Sequence, residues 1–343
     1  MKNNQHFGYH LTNFLSKYLP SEEGKSIHTI RSYRDTFKLF LVFMRGTRRL
    51  EAHKIKLTDI DRENVVSFLE WTETERNCNV ATRNIRLAAI RSFVKYVQYE
   101  NPDYLSEFSN VLKIGTKETL QQTPCYMPAE EIKLLLSMPD QTAKRGRRDL
   151  AMLALMFDTG ARVSEIIGLT PGMVRLDAPC TVKLIGKGNK ARIVPLADSQ
   201  VEVLKHYMKE NRLNEPYANK YPLFPNDKGN ALTRQGAAYI LKKYLKFAME
   251  SGLPGNENIP EEFSCHSMRH SKAMSMLSGD TDLIYIRDVL GHVSVKTTER
   301  YARIDSQKKR AALEAAYADT TPDAEPVWQQ DGELMEWLTG FAK

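Results

Sequence analysis

Residues 266–277 read HSMRHSKAMSML, and the first five place His266, Arg269 and His270 within about one and a half turns of a helix. Two histidines one turn apart invite a metal reading. A zinc site needs three or four ligands, and a hydrolytic helix carries glutamate inside H-E-x-x-H, whereas here Ser267, Met268 and Arg269 intervene. An arginine between the two ligands would repel a dication. His266 and Arg269 stand three apart, so on a helix they share a face and converge on one small anion. The planar fork of Arg269 suits phosphate oxygens. A surface histidine and arginine at this spacing also arise by chance, so the other segments must decide.

The chain has 343 residues, long for a single core, and two domains are the expectation. Hydrophobic residues make up 42%, enough to build both. No apolar run approaches the roughly 18 residues of a membrane span. The N-terminus, MKNNQHFGYHLTNFLSKYL, has neither the apolar stretch nor the cleavage site of a signal peptide, so a cytoplasmic protein with no membrane partner is expected. Cys78, Cys125, Cys180 and Cys265 stand singly, without the C-x-x-C spacing of a zinc cluster or a disulfide framework. Formal charge is +7, unevenly spread: residues 311 to 342 hold seven acids and no Lys or Arg, so the chain up to Arg310 carries +13. A basic body of this size suits a polyanion such as DNA, although RNA-binding and merely soluble proteins share the property.

The first 115 residues read as helices. SIHTIRSYRDTFKLFLVFMRG sets Ile27, Ile30, Phe37, Phe40, Leu41 and Met44 at mostly three- and four-residue steps, with Ser26 as N-cap and Gly46 as stop. LTDIDRENVVSFLEWTETE starts a second helix. NVATRNIRLAAIRSFVKYVQYE gives a third, with Ile85, Ala89, Phe93 and Val97 on one face. That helix also carries Arg83, Arg86, Arg91 and Lys95, a set that serves either solvent or DNA, because every helix needs a polar outside. Periodicity is lost over 113–127 and resumes at PAEEIKLLLSM and RRDLAMLALMFDTGA. TVKLIGKGNKARIVPL is two short β-rich runs around a Gly-containing turn, a hairpin signature. In the tail, Leu334, Trp337, Leu338 and Phe341 make a short amphipathic helix beyond an acidic connector. So short a helix is marginal alone and must dock, on its own domain or on a neighbour.

Other segments supply partners for the His266 and Arg269 pair. In DTGARVSEIIGL, Gly160 breaks an apolar helix and Arg162 opens the next, beside free helix N-terminal amides. Glu165 can pair with Arg162, although an exposed pair of this kind contributes under about 1 kcal/mol. The turn GKGNK carries Lys187 and Lys190 but lacks G-x-x-x-x-G-K-[ST], which argues against a nucleotide-binding loop. Lysines at such a tip either reach a DNA groove or simply solubilise the turn. In LGHVSVKTTERYARI, Gly291 ends a helix, His292 sits at the break, a new helix begins near Ser294, and Tyr301 follows His292 by nine residues.

Taken together, Arg162 in TGARVSEIIGL, Lys187 in IGKGNKARIVPL, HSMRH, LGH at 290–292 and Tyr301 resemble the tyrosine recombinase (phage integrase) family in its full motif order. The resemblance is close over about residues 126–317. Residues 10–110 are more loosely similar to that family's helical core-binding domain, through TIRSYRDTFKLFLVF and ATRNIRLAAIRSFVKYV. Met268 stands where the family more often has leucine, and Lys272 where small residues are common; neither change touches the implied chemistry.

The resemblance implies a mainly α fold with a small antiparallel β-sheet. It implies a two-domain clamp: a helical core-binding domain over 1–115, a linker over 116–126, a mixed α/β catalytic domain over 127–318 and a tail over 319–343 that docks in trans. It implies a 3′-phosphotyrosyl intermediate with Tyr301 as nucleophile and Arg162 and Arg269 on the non-bridging oxygens. His266 becomes the expected proton acceptor, although in so charged a cluster it also suits donation to phosphate. His292 hydrogen-bonds the phosphate, Lys187 protonates the leaving 5′ oxygen, Glu165 supports Arg162, and His270 is structural. No metal and no cofactor enter. Arg234, Lys242 and Lys243 on the helix LTRQGAAYILKKYLKF match a family helix that lies in a major groove, with a solvated face as the plainer alternative. The implied partners are double-stranded recombination sites, a homotetramer assembled on DNA from monomers or dimers, and accessory DNA-bending proteins. The implied role is integration, excision or transposition of a mobile element. The alternatives are a chromosome-dimer resolving recombinase and a type IB topoisomerase-like relaxing enzyme.

Overall fold

Phe7 opens a short helix, α1 (Phe7–Asn13), and its ring is the first element of an aromatic core. The computed structural model describes residues 6–119, 123–292, 294–302 and 338–341, apart from the side chains of Lys187, Lys296, Arg300 and Ala302. The chain forms two compact units, residues 1–122 and 123–343. In the first, α2 (Ile27–Arg48) begins where the Ser26 hydroxyl accepts from the Thr29 amide at 3.2 Å. Asp61 caps α3 (Arg62–Thr74) and Asn79 caps α4 (Val80–Glu100) in the same way. α5 (Leu105–Leu112) closes the unit.

Phe93 on α4 is the hub of this core. Its ring centroid lies 5.5 Å from that of Phe7, 5.4 Å from Phe14 and 5.1 Å from Phe37. Two expectations fail here. Gly46 does not stop α2, which runs on to Arg48 and ends at Arg49 in the left-handed region, φ 54°. One internal glycine costs only about 1 kcal/mol, which the burial of Phe43 and Met44 outweighs. On α4, Ile85 is exposed and Arg83 is buried. Arg83 donates to the Gly115 carbonyl at 3.0 Å, and Arg91 to the carbonyls of Leu112 and Ile114. These two arginines therefore satisfy the backbone leaving α5, and the expectation that they face DNA gives way to a packing role.

The second unit begins with α6 (Ala129–Ser137), α7 (Lys144–Thr159) and α8 (Val163–Ile167). Three antiparallel strands follow in the order β1 (Val174–Arg175), β2 (Thr181–Ile185) and β3 (Ala191–Pro195), with Lys183 opposite Ile193. The turn between β2 and β3 is closed by Gly186 N donating to Lys190 O at 2.8 Å. Then come α9 (Asp198–Glu210), α10 (Arg234–Met249), α11 (Cys265–Ser278), α12 (Leu283–Leu290) and α13 (Val295–Ala302).

Asp149 on α7 is buried and accepts from Arg148 and from the Tyr244 hydroxyl, which fixes the inner side of α10. Ser271 on α11 accepts from the Met127 amide at 2.8 Å, tying that helix to the start of the unit. The tail helix expected over Leu334, Trp337, Leu338 and Phe341 lies outside the described residues apart from 338–341, where Leu338 and Phe341 are exposed.

Phe93→Ala is expected to destabilise the first unit by about 3–5 kcal/mol, seen as an early transition in chemical denaturation. Ile85→Ala, at an exposed position, is expected to shift it by less than about 0.5 kcal/mol. Equal losses at the two positions would contradict the packing described.

Candidate active site

Two left-handed glycines set the backbone of the site. Gly160 ends α7 at φ 56°, and a Cβ there would come within 2.5 Å of Leu290 Cδ2. Gly291 ends α12 at φ 67°, and a Cβ there would lie 2.9 Å from Arg192 Nη1. Both positions need glycine for conformation and for space. They bring Arg162, one residue past the first turn, and His292, directly after the second, toward α11.

Glu165 organises the cations. It is 4% exposed. It accepts from Arg162 Nη1 at 3.0 Å and from the Arg162 amide at 2.9 Å. Arg192 on β3 grips the same carboxylate with both terminal nitrogens, at 3.0 and 2.8 Å, and its Nε donates to Val289 O at 2.8 Å. Burial works to raise the Glu165 carboxyl, but the bonds from Arg192 and Arg162 outweigh it and hold the group below its ordinary range. Glu165 pairs with Arg162 as expected, and because its carboxylate is buried and shared the pair is more than the weak surface contact of the plainer reading; the Arg162 amide is taken by the same carboxylate.

Arg269 is 1% exposed. Its Nη1 donates to Gly160 O at 2.8 Å, while Nη2 has no hydrogen-bond partner among the described residues. Burial, then Arg162 and Arg192, lower its pKa to about 10, so it stays cationic at neutral pH with a donor unspent. A buried, unspent guanidinium donor is costly unless an anion arrives to take it.

Tyr301 on α13 is 2% exposed and packs with Ala273, Met274, Leu277, Ile286 and Leu290. Its hydroxyl lies 2.8 Å from His270 Nδ1, so His270, expected to be structural, touches the nucleophile candidate directly. The His266 ring is exposed and meets His270 edge to face at 4.4 Å. His292 stacks on Tyr301 at 6.2 Å and 15°, and its Nδ1 is 3.0 Å from the hydroxyl of Thr298, a fully buried residue. Burial and the charges of Arg269, Arg162, His270 and Arg192 push His292 down to about 3, so its imidazole is neutral. Lys187 sits in the β2–β3 turn, and its side chain lies outside the described residues.

Sequence reasoning overlooks Arg192 and Thr298. Alternation on β3 carries a signal for the first: Ala191, Ile193 and Pro195 face out, which turns Arg192 inward with Val194. Thr298 carries none, since only the folded chain sets it against His292. Of the expected DNA-facing residues, Lys95, Lys190, Arg234, Lys242 and Lys243 are exposed and Arg86 is half-buried. Lys243 lies over the rings of Tyr244 and Phe247, at 4.7 and 5.7 Å. Among the described residues, no group of three or more His, Cys, Asp or Glu is arranged to hold a metal ion.

A family model described as "Phage integrase family" matches residues 126–308, and one described as "Phage integrase, N-terminal SAM-like domain" matches residues 12–101. The chain is 34% identical over 335 residues to "Putative integrase/recombinase y4rC" of Sinorhizobium fredii, covering 96% of this chain and 97% of that one. It is 31% identical over 293 residues to tyrosine recombinase XerD of Listeria innocua, covering 84% and 91% respectively. Among solved structures, the fold is shared with the Tn1549 transposon integrase in complex with transposon right end DNA (14% identity, TM-score 0.66, 89% and 98% covered). It is shared also with the XerH site-specific recombinase bound to difH substrate (24% identity, TM-score 0.65, 88% and 84% covered). The chain belongs to the phage integrase family of tyrosine recombinases, site-specific enzymes that cleave and rejoin DNA strands.

Proposed function

We propose that the cluster around Arg269 grips one DNA phosphate and presents it to Tyr301. The observation that carries this reading is the unspent Nη2 of buried Arg269, beside a hydrogen-bonded phenol and a neutral imidazole. Arg269 and Arg162 neutralise the non-bridging oxygens and stabilise the charge that builds as phosphorus becomes five-coordinate. In the tautomer with its proton on Nε2, neutral His292 donates that proton to phosphate while Nδ1 stands 3.0 Å from the Thr298 hydroxyl. His266, exposed on the same helix, adds a further donor, and Lys187 protonates the departing 5′ oxygen. The phosphoester energy is stored in the 3′-phosphotyrosyl bond, and the 5′-hydroxyl of a partner strand reverses the step. No cofactor or metal is needed. Tyr301 is covered in this state, so DNA binding is coupled to opening a path by which a phosphate reaches the phenol.

The outer face of α10 is suited to the duplex: Arg234, Lys242 and Lys246 are exposed together with Tyr239. In the same unit Lys190 at the turn tip is exposed, and in the other unit Lys95 and Arg86 on α4 are separate candidates for DNA contact. We assign the chain double-stranded recombination sites, a tetramer assembled on DNA, accessory DNA-bending proteins and a cytoplasmic, DNA-associated location. Among the described residues, no helix is long and apolar enough to cross a membrane. Mobile-element integration, excision or transposition is the preferred role. Chromosome-dimer resolution is the second reading, favoured by 31% identity to XerD over 84% of the chain.

With a nicked DNA site that traps the intermediate, the protein is expected to form a covalent complex in EDTA. Tyr301→Phe is expected to form none, and Arg269→Ala to form it about 10²–10³-fold more slowly. A covalent complex in Tyr301→Phe would overturn the assignment of the nucleophile.

The neutral state of His292 also predicts a pH dependence. Between its ordinary pKa of about 6.5 and the folded value of about 3, the unfolded chain binds a proton that the folded chain refuses. The associated stability is present in full above about pH 6.5 and is lost as pH falls toward 3. The depressed Glu165 acts in the same direction at lower pH. Thermal melts are expected to drop between pH 7 and 4, and to drop less in His292→Gln. An equal drop in that variant would contradict the buried neutral imidazole.

A further inference from the structure

We propose that His270, rather than His266, takes the proton from Tyr301 when the phenol attacks DNA. The inference rests on the reading of Tyr301 as nucleophile and adds the residue that activates it.

Tyrosine needs such a partner. With a pKa of about 10, only on the order of one phenol in a thousand is ionised at neutral pH. A base is judged first by reach, within about 2.6–3.2 Å of the proton it removes. His270 Nδ1 stands 2.8 Å from Tyr301 Oη, on a helix fastened by the Ser271 bond to Met127. Its imidazole is half-buried, on the same side of α11 as exposed His266. His266 was the acceptor expected from the sequence, yet it opens to solvent, where a phosphate ligand or a proton relay is better placed than a base for a covered phenol.

The nearby cations favour loss of the phenol proton, while reach selects the group that takes it: Arg269 lies on the same helix as His270, and Arg162, Arg192, Glu165 and Tyr301 act on Arg269 electrostatically. Arg269 and Tyr301 act on each other electrostatically, so a developing phenolate gains from the cation. In the step itself the bond from Tyr301 Oη to phosphorus forms and the phosphorus to O5′ bond breaks. The phenol proton passes to His270 Nδ1, and O5′ takes a proton from Lys187. In the reverse step the 5′-hydroxyl returns its proton to Lys187, and His270 returns its own to the departing phenolate.

The contact also resembles a simple latch that holds Tyr301 in its covered position, and the test separates the two. Single-turnover formation of the covalent complex is measured on the nicked site at saturating DNA for His270→Ala, His270→Gln and His266→Ala. Each variant is also made with Tyr301→3,5-difluorotyrosine, a phenol roughly three pKa units more acidic than tyrosine at about 10. His270→Ala and His270→Gln are expected to slow the step by about 10²–10⁴-fold at unchanged DNA affinity. The acidic phenol is expected to restore at least tenfold in both, with little gain in His266→Ala. A merely structural histidine would show no such rescue. The proposal is overturned by cleavage in His270→Ala within threefold of the parent, by cleavage faster than the parent, or by a loss that the acidic phenol leaves untouched in a DNA-binding variant. A fold defect in His270→Ala leaves His270→Gln, which keeps size and hydrogen bonding, to decide. Tyr301→Phe runs alongside: a covalent complex there sinks the nucleophile reading itself, whereas its absence together with an active His270→Ala sinks only the role of His270.

Discussion

The bidentate grip of Arg192 on Glu165 is the constraint on which the catalytic unit depends. One buried carboxylate binds Arg162 from α8 and Arg192 from β3, while Arg192 reaches the carbonyl of Val289 at the end of α12. Three segments far apart in the chain are locked by a single charge network. A buried ion pair with one partner removed leaves an uncompensated charge, costing about 3–5 kcal/mol, whereas the intact network need add little net stability. Its value is positional. It fixes where Arg162 points and how the turn at Gly291 delivers His292.

The same network leaves an excess of positive charge. Glu165 offsets one of the three arginines, Arg162, Arg192 and Arg269, which leaves two cationic equivalents in the cluster. That excess depresses Arg269 and His292 together, and each shift has burial as its first cause. On the proposed reading such a site is poorly satisfied when it stands alone and well satisfied with a phosphodiester, and the arginines would supply the fixed charge that a divalent ion supplies elsewhere.

Much of the fold was legible because its signals are local. The glycines at 160 and 291 read as helix ends from sequence and adopt left-handed backbone in the structure; both lie where an L side chain would also collide. The hairpin and the cap at Ser26 were equally readable. Errors arose where tertiary context overrides a local rule. Periodicity placed Ile85 inward on α4, yet Arg83 takes the buried place because the chain returning past Leu112 offers carbonyls that only a long donor can satisfy. Gly46 looked like a stop, but packing of Phe43 and Met44 carries the helix over it. Arg192 needed strand alternation to be read through a charged residue. The contact between His270 and Tyr301 joins positions 31 apart and has no local signature.

Two histidines of similar chemistry thus acquire different work from their surroundings. Burial and the neighbouring arginines push His292 far below its ordinary pKa, which makes it a neutral imidazole with Nδ1 3.0 Å from the Thr298 hydroxyl. His270 meets the phenol at 2.8 Å, where the proposed role is to gain a proton during the step and release it afterwards. Environments that drive like groups apart assign acid and base roles in many active sites. Here the division follows from geometry: α13 starts just past the Gly291 turn and carries both Thr298 and Tyr301, so one short helix sets Thr298 against the first histidine and the Tyr301 phenol against the second.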